Sequence, residues 1–258
     1  MPAPSFDLHG RVAVVTGGNG GIGRAIALGM ASAGASIAIL GRNEVKNAAV
    51  LSELQAMGAK AHALRVDVTE RDTLAGALGE VEAELGGIDI LVNNAGVADI
   101  SGGVLNQGLE AWDHTIATHL TATMLLSKIA AQSMLVRRHG KIINVGSMYS
   151  YFGSGFLPSY SAAKGAIVQL TKSMAIEFAA HNIQVNAIAP GWIATDMTEV
   201  ARVDPNWASF NAMLMARTPA ARWGEADECA GAAVFLACQA SDFITGVTLP
   251  IDGGYSIF

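Results

Sequence analysis

Arg11-Val12-Ala13-Val14-Val15-Thr16-Gly17-Gly18-Asn19-Gly20-Gly21-Ile22-Gly23 decides the fold. A short β-branched run gives way to a cluster of glycines, after which Ile22, Ile26 and Met30 fall at helical spacing. Strand, glycine-rich turn and helix, in that order, form the opening of a dinucleotide-binding unit. The glycine spacing is G-x-x-x-G-x-G, which departs from the commoner G-x-G-x-x-G. The physical purpose is the same: glycines let backbone N–H groups and a helix N-terminus approach a pyrophosphate.

Reading outward, Ser36 to Leu40 is a second strand, followed by Gly41-Arg42-Asn43. An acid here would bond a ribose 2′-hydroxyl, whereas an arginine suits a 2′-phosphate. Arg42 and the lack of an acid therefore favour NADP(H) over NAD(H), although Gly20 stands where a second cation would be expected. A helix from Glu44 to about Met57 leads to a strand from Ala61 to Val66. Asp67 and Val68 follow; Asp67 suits either an adenine amine or the cap of the next turn. After a helix over 72–85 and a strand from Ile88 to Val92 comes Asn93-Asn94-Ala95-Gly96. Its small residues and amides permit close approach to a cofactor.

Residues 108–138 read as one long amphipathic helix, with Trp112, Ile116, Leu120, Thr123, Leu126 and Met134 on its apolar face. A strand from Lys141 to Val145, a helix from Tyr160 to His181 and a strand from Gln184 to Ile188 follow, the last ending at Pro190-Gly191. Residues 192–221 show no clean strand and are a candidate substrate lid. A helix from Asp227 to Cys238 and a strand from Val247 to Ile251 complete the pattern. About seven strand–helix alternations without repeats or linkers predict one α/β domain over 1–258. It is a Rossmann-type, doubly wound parallel sheet with helices on both faces.

Composition agrees with this reading. Of the 258 residues 51% are hydrophobic and 15% charged, enough apolar material for buried parallel strands. A net charge of −6 argues against nucleic-acid and anionic-membrane partners. The basic cluster Arg137-Arg138-His139-Gly140-Lys141 reads as a helix end, with Gly140 in the left-handed position. Cys229 and Cys238 lie on one apparent helix without metal spacing or a plausible bridge, as core thiols of a reducing compartment. Met1-Pro2-Ala3-Pro4-Ser5 lacks a signal pattern, and no apolar run reaches the ~18 residues of a membrane span. The expectation is a cytoplasmic protein.

The chemistry centres on Ser147, Tyr160 and Lys164. Tyr160 and Lys164 are four apart and share one helix face. A phenol titrates near ~10, and a neighbouring ammonium pulls it towards the range useful for acid–base work. A serine hydroxyl on the facing loop can hold the carbinol or carbonyl oxygen beside the phenol.

Together these pieces resemble the single-domain branch of the short-chain dehydrogenase/reductase family. The shared motifs are Thr16-Gly17-x-x-x-Gly21-Ile22-Gly23, Asp67-Val68, Asn93-Asn94-Ala95-Gly96, Ser147 with Tyr160-x-x-x-Lys164, and Pro190-Gly191 with Thr195. The resemblance implies Tyr160 as acid/base, Lys164 lowering its pKa and holding the nicotinamide ribose, and Ser147 orienting the substrate oxygen. It places Gly17, Asn19, Gly21, Ile22, Gly23, Arg42, Asp67 and Val68 around the dinucleotide. Asn94, Ala95 and Gly96 would line the nicotinamide side, while Pro190, Gly191, Ile193 and Thr195 would meet the carboxamide and phosphates. It also implies a homotetramer or homodimer built on the two long helices, with an alanine-rich face on the second.

One position departs from the family: His119 stands where an asparagine usually anchors a water chain towards the lysine. A working relay with altered pH dependence is one expectation for His119, and simple packing is the other. The carboxyl-terminal part, including Arg217-Thr218-Pro219-Ala220-Ala221-Arg222-Trp223-Gly224, resembles the gluconate 5-dehydrogenase and deoxygluconate dehydrogenase group. That implies a sugar acid, sugar or polyol as small-molecule substrate. A 3-oxoacyl-carrier-protein reductase shares every motif but would want a basic docking surface. An apolar ketone would suit the lid's Trp192, Met197, Trp207, Met213 and Met215. A nucleotide-sensing scaffold would show a broken Ser/Tyr/Lys set.

Overall fold

The computed structural model describes residues 6–257, so the reading of Met1-Pro2-Ala3-Pro4-Ser5 lies outside the described residues. The first half runs β1 (Val12–Thr16), α1 (Gly21–Ser32), β2 (Ser36–Gly41), α2 (Glu44–Ala56), β3 (Ala61–Arg65), α3 (Leu74–Leu85), β4 (Ile90–Asn93), α4 (Leu109–Ile116) and α5 (Ala122–Arg137). It continues with β5 (Gly140–Val145), α6 (Pro158–Phe178), β6 (Ile183–Pro190), β7 (Ile193–Ala194), α7 (Glu199–Val203) and α8 (Ala208–Arg217). The last elements are β8 (Gly224–Glu225), α9 (Glu228–Ala237) and β9 (Thr248–Ile251).

Seven strands form a wholly parallel sheet in the order β3-β2-β1-β4-β5-β6-β9. Side chains alternate across it. Val12 and Val14 join a core with Leu74, Leu78, Leu126 and Met134, from α3 and α5. Ala13 and Val15 join a second core with Ile26, Met30 and Leu236, from α1 and α9. Each fully buried large aliphatic contributes about 1.5–3 kcal/mol, so both faces of the central strands stabilise the sheet. Burial on both faces is also why β1 reads as an unbroken apolar run rather than an alternating one.

The strand order reverses between β1 and β4. In open α/β sheets the crevice at the carboxyl ends of such a pair is where ligands bind. A buried polar network braces the floor beside it. Asn93 Nδ2 donates to Ser127 Oγ (3.0 Å) and to Asn144 Oδ1 (2.9 Å), and Asn144 Nδ2 donates to Thr171 Oγ1 (2.8 Å). Asn93 thus ties β4 to β5 and α5, and only its neighbour Asn94 faces the crevice.

Three local expectations are corrected. The helix over 108–138 is interrupted: α4 and α5 are joined by a π-helical turn, Ala117–Thr121, which contains His119. Such turns carry an extra residue per turn and mark functional positions more often than chance. At the end of α5, Arg138 rather than Gly140 takes the left-handed conformation, at φ 50°. Gly140 has already entered β5, where a Cβ would overlap the Met134 side chain. Residues 192–221 hold more structure than the sequence suggested. β7 pairs in parallel with β8, Ile193 opposite Gly224, so the chain carrying α7 and α8 leaves and returns at one point. Two-residue strands leave no periodicity to read.

Among the described residues no helix is long and apolar enough to cross a membrane, and no group of three or more His, Cys, Asp and Glu side chains is arranged to hold a metal ion. Cys229 and Cys238 are both free and buried.

Candidate active site

The glycine turn after β1 is held by side chains as well as by its own conformation. Gly17 sits at φ 63°, and a Cβ on Gly23 would overlap the Gly17 carbonyl oxygen. Thr16 Oγ1 accepts from the backbone N–H groups of Asn94 (2.9 Å) and Ala95 (3.0 Å). Asn94 Nδ2 donates back to the carbonyls of Thr16 (2.9 Å) and Gly17 (3.2 Å). The turn after β4 is thereby locked to the turn after β1. α1 begins at Gly21 with no side-chain cap and no acid in its first turn. Its leading N–H groups are left for an anion, and the helix dipole favours one there.

Asn19, at the tip of the turn, donates from Nδ2 to Asn47 Oδ1 (2.6 Å). Asp67 Oδ1 accepts from the Thr69 N–H (2.9 Å) and hydroxyl (2.7 Å), the capping alternative read from the sequence. Its other oxygen lies 3.8 Å from Arg42, which is exposed at the end of β2.

At the opposite end, Ser147 follows β5 and is buried. Its N–H donates to Ser150 Oγ (3.2 Å), and the Ser150 hydroxyl donates to the Lys164 carbonyl (2.7 Å). This chain of bonds fixes the serine loop to the helix turn that bears the lysine. Lys164 is 4% exposed, and its Nζ donates to the Val145 carbonyl (2.6 Å) and lies 5.5 Å from the Tyr160 ring centre. Tyr160 opens α6, two residues after Pro158, with its ring edge-on to His119 (5.2 Å) and Tyr149 (6.2 Å).

The electrostatics reverse one expectation. Tyr160 keeps some surface open to the cleft, yet burial of its hydroxyl pushes the phenol up to about 12, against a hydrogen bond with Ser147 that pulls it down. Burial likewise pushes the Lys164 amine down to about 7. Desolvation is the largest cause for both groups, which sit in the same poorly hydrated space.

His119 is 3% exposed, and its Nε2 lies 2.7 Å from the Val97 carbonyl and 3.1 Å from the Val97 N–H. Burial, with Lys164 adding repulsion, lowers it to about 3, so it is neutral throughout the working range. The imidazole clamps the turn after β4. The His119 backbone carbonyl accepts from Thr123 Oγ1 (2.7 Å). Replacing His119 with Asn leaves the pH dependence of kcat within about 0.3 units of the parent while raising KM for the dinucleotide, as pH–rate profiles of the two proteins will show. A shift of a full unit would restore the relay.

The residues read as catalytic or dinucleotide-binding line one cleft of about 390 Å³, from Gly17, Asn19, Gly21, Ile22, Gly23, Arg42, Asp67 and Val68 through Asn94, Ala95 and Gly96 to His119, Ser147, Tyr160, Lys164, Pro190, Gly191, Ile193 and Thr195. The sequence reading missed Thr118, Lys46 and Asp196, which line it too, and Tyr149, which joins Tyr160 to Trp192. Lys46 left a signal: a cation in the first turn of a helix opposes the dipole unless an anion is near.

A glycine cradle leading to serine, tyrosine and lysine is the layout of a dinucleotide-dependent oxidoreductase. A family model described as enoyl-(acyl carrier protein) reductase matches residues 17–256. The chain is 39% identical over 255 residues to 2-dehydro-3-deoxy-D-gluconate 5-dehydrogenase of Formosa agariphila, covering 98% of this chain and 96% of that one. It is 40% identical to 5-keto-D-gluconate 5-reductase of Escherichia coli K12, covering 96% of each. It superposes with a TM-score of 0.93 and 40% identity on a gluconate 5-dehydrogenase from Burkholderia cenocepacia J2315 in complex with NADP and tartrate, covering 98% of each chain. The chain belongs to the short-chain dehydrogenase/reductase family and is an NAD(P)-dependent oxidoreductase of CH–OH groups.

Proposed function

We propose that the protein interconverts a hydroxyl and a ketone on a sugar acid with NADP(H), a reading supported by its similarity to a gluconate 5-dehydrogenase in complex with NADP. The site residues fit the dinucleotide. The uncapped α1 N-terminus and Gly17–Gly23 would take the pyrophosphate, Arg42 the 2′-phosphate, and Lys164 the nicotinamide ribose. When bound, the nicotinamide supplies the hydride acceptor or donor at C4. In the oxidative direction Tyr160, as the phenolate, would take the hydroxyl proton of the substrate while Ser147 holds the oxygen in place. The protein contributes positioning and directed hydrogen bonds.

One observation carries the polar-substrate reading. Thr118 Oγ1, on a residue that lines the cleft, is shielded from solvent and has no hydrogen-bond partner. An unsatisfied buried donor disfavours an apolar ligand and suits one rich in hydroxyls. The segment between β7 and β8 would act as the lid, its ends pinned by their pairing. Two-fold or four-fold assembly through α4–α5 and α6, in the cytoplasm, completes the proposal.

A panel of gluconate-type acids, neutral polyols, aromatic alcohols and 3-oxoacyl thioesters, with NADP(H) and NAD(H), tests the reading at the nicotinamide absorbance. We expect kcat/KM for a sugar acid to exceed that of its neutral polyol at least ~10-fold, the scale of one lost charged contact. Preference for an aromatic alcohol or a thioester would overturn it.

A further inference from the structure

Lys46 and Asp196 face each other across the mouth of the cleft. Lys46 belongs to the first turn of α2, where its N–H donates to the capping Asn43 side chain (3.0 Å). Asp196 immediately follows Thr195, at the start of the segment between β7 and β8. Lys46 Nζ lies 2.8 Å from Asp196 Oδ2, and both residues line the same cleft as Arg42.

This pair is oddly placed for a structural contact. Both side chains are mostly exposed, and exposed ion pairs add little stability. The cation also sits where the α2 dipole disfavours it. Arg42, four residues earlier, is partnered in the same way, with Asp67 at 3.8 Å. The two cations beyond β2 are thus each faced by a carboxylate. A phosphate dianion, with three acceptor oxygens, outbids a carboxylate for such cations and relieves the conflict with the helix dipole.

We propose that Lys46 is a second ligand for the 2′-phosphate of NADP(H), alongside Arg42, and that Asp196 competes with the phosphate for it. The inference rests on the NADP(H) reading above. It supplies the second cation that Gly20 fails to provide in the glycine turn, and it makes Asp196 a residue that tempers coenzyme preference.

Fluorescence titration of NADPH and NADH into the parent, Lys46→Gln and Asp196→Asn proteins tests this. In Lys46→Gln the NADPH:NADH affinity ratio falls about tenfold; in Asp196→Asn it rises about threefold. In the doubly substituted protein it matches Lys46→Gln, because Asp196 acts only through Lys46. Equal loss of both dinucleotides in Lys46→Gln, or an unchanged ratio, overturns the assignment even if the parent prefers NADPH. A parent that binds both equally overturns the NADP(H) reading itself, and the two failures are therefore distinguishable.

Discussion

Tyr160→Phe lowers kcat at least about 10³-fold and leaves the dissociation constant for NADPH within about twofold of the parent. General acid–base catalysis by one positioned group is worth about 10²–10⁴ in rate, and in the mechanism proposed above the phenol exchanges the proton with the substrate oxygen. The ring packs edge-on against His119 and Tyr149, and phenylalanine preserves those contacts, so the change removes one hydroxyl from an intact wall. Stopped-flow turnover and fluorescence titration on the same preparation separate the two quantities. A variant that kept a tenth of the activity would move the acid–base role elsewhere.

Lys164→Met is the second large effect. The amine is buried, and its one hydrogen bond is donated to the Val145 carbonyl. Removing it deletes the amine beside the phenol and the ribose contact proposed above together, so kcat falls about 10²–10³-fold and KM for the dinucleotide rises. Stability moves in a way that activity does not. Burial lowers this amine from 10.5 to about 7, so between those values the unfolded chain binds a proton that the folded chain does not. Parent stability therefore gains from this group as pH rises from 7 to 10.5, and the desolvation penalty is fully present below 7. Methionine carries no such titration. Thermal melts of both proteins across that window should show the parent gaining on the variant as pH climbs. Parallel curves would mean that Lys164 is solvated in solution.

The fold was legible because parallel strands buried on both faces leave apolar runs, and tight βα turns leave glycines. Val12–Thr16 followed by Gly17–Gly23 shows both in one stretch. The candidate site was legible because a tight turn restricts residue type: Gly17 sits at φ 63°, and a Cβ on Gly23 would overlap the Gly17 carbonyl oxygen. Spacing put Tyr160 and Lys164 together but said nothing of the hydration around them, and that omission reversed the direction of the phenol shift. The π-helical turn at Ala117–Thr121 has no propensity signature, so His119 was placed on the right element without its clamp on Val97. Tyr149 and Lys46 owe their positions to contacts with residues distant in sequence, Trp192 and Asp196, which local periodicity does not encode.

In the working complex Tyr160, pushed up to about 12 by burial in this structure, has to be brought down by neighbouring positive charge to accept a proton at lower pH. Ultraviolet difference titration of the NADP⁺ complex, parent minus Tyr160→Phe, measures this phenol alone. We expect one phenolate to appear at least ~2 pH units below 12, with a midpoint that matches the alkaline rise of kcat/KM for oxidation. A phenol that stays protonated up to about pH 12 while the rate climbs at lower pH would contradict it.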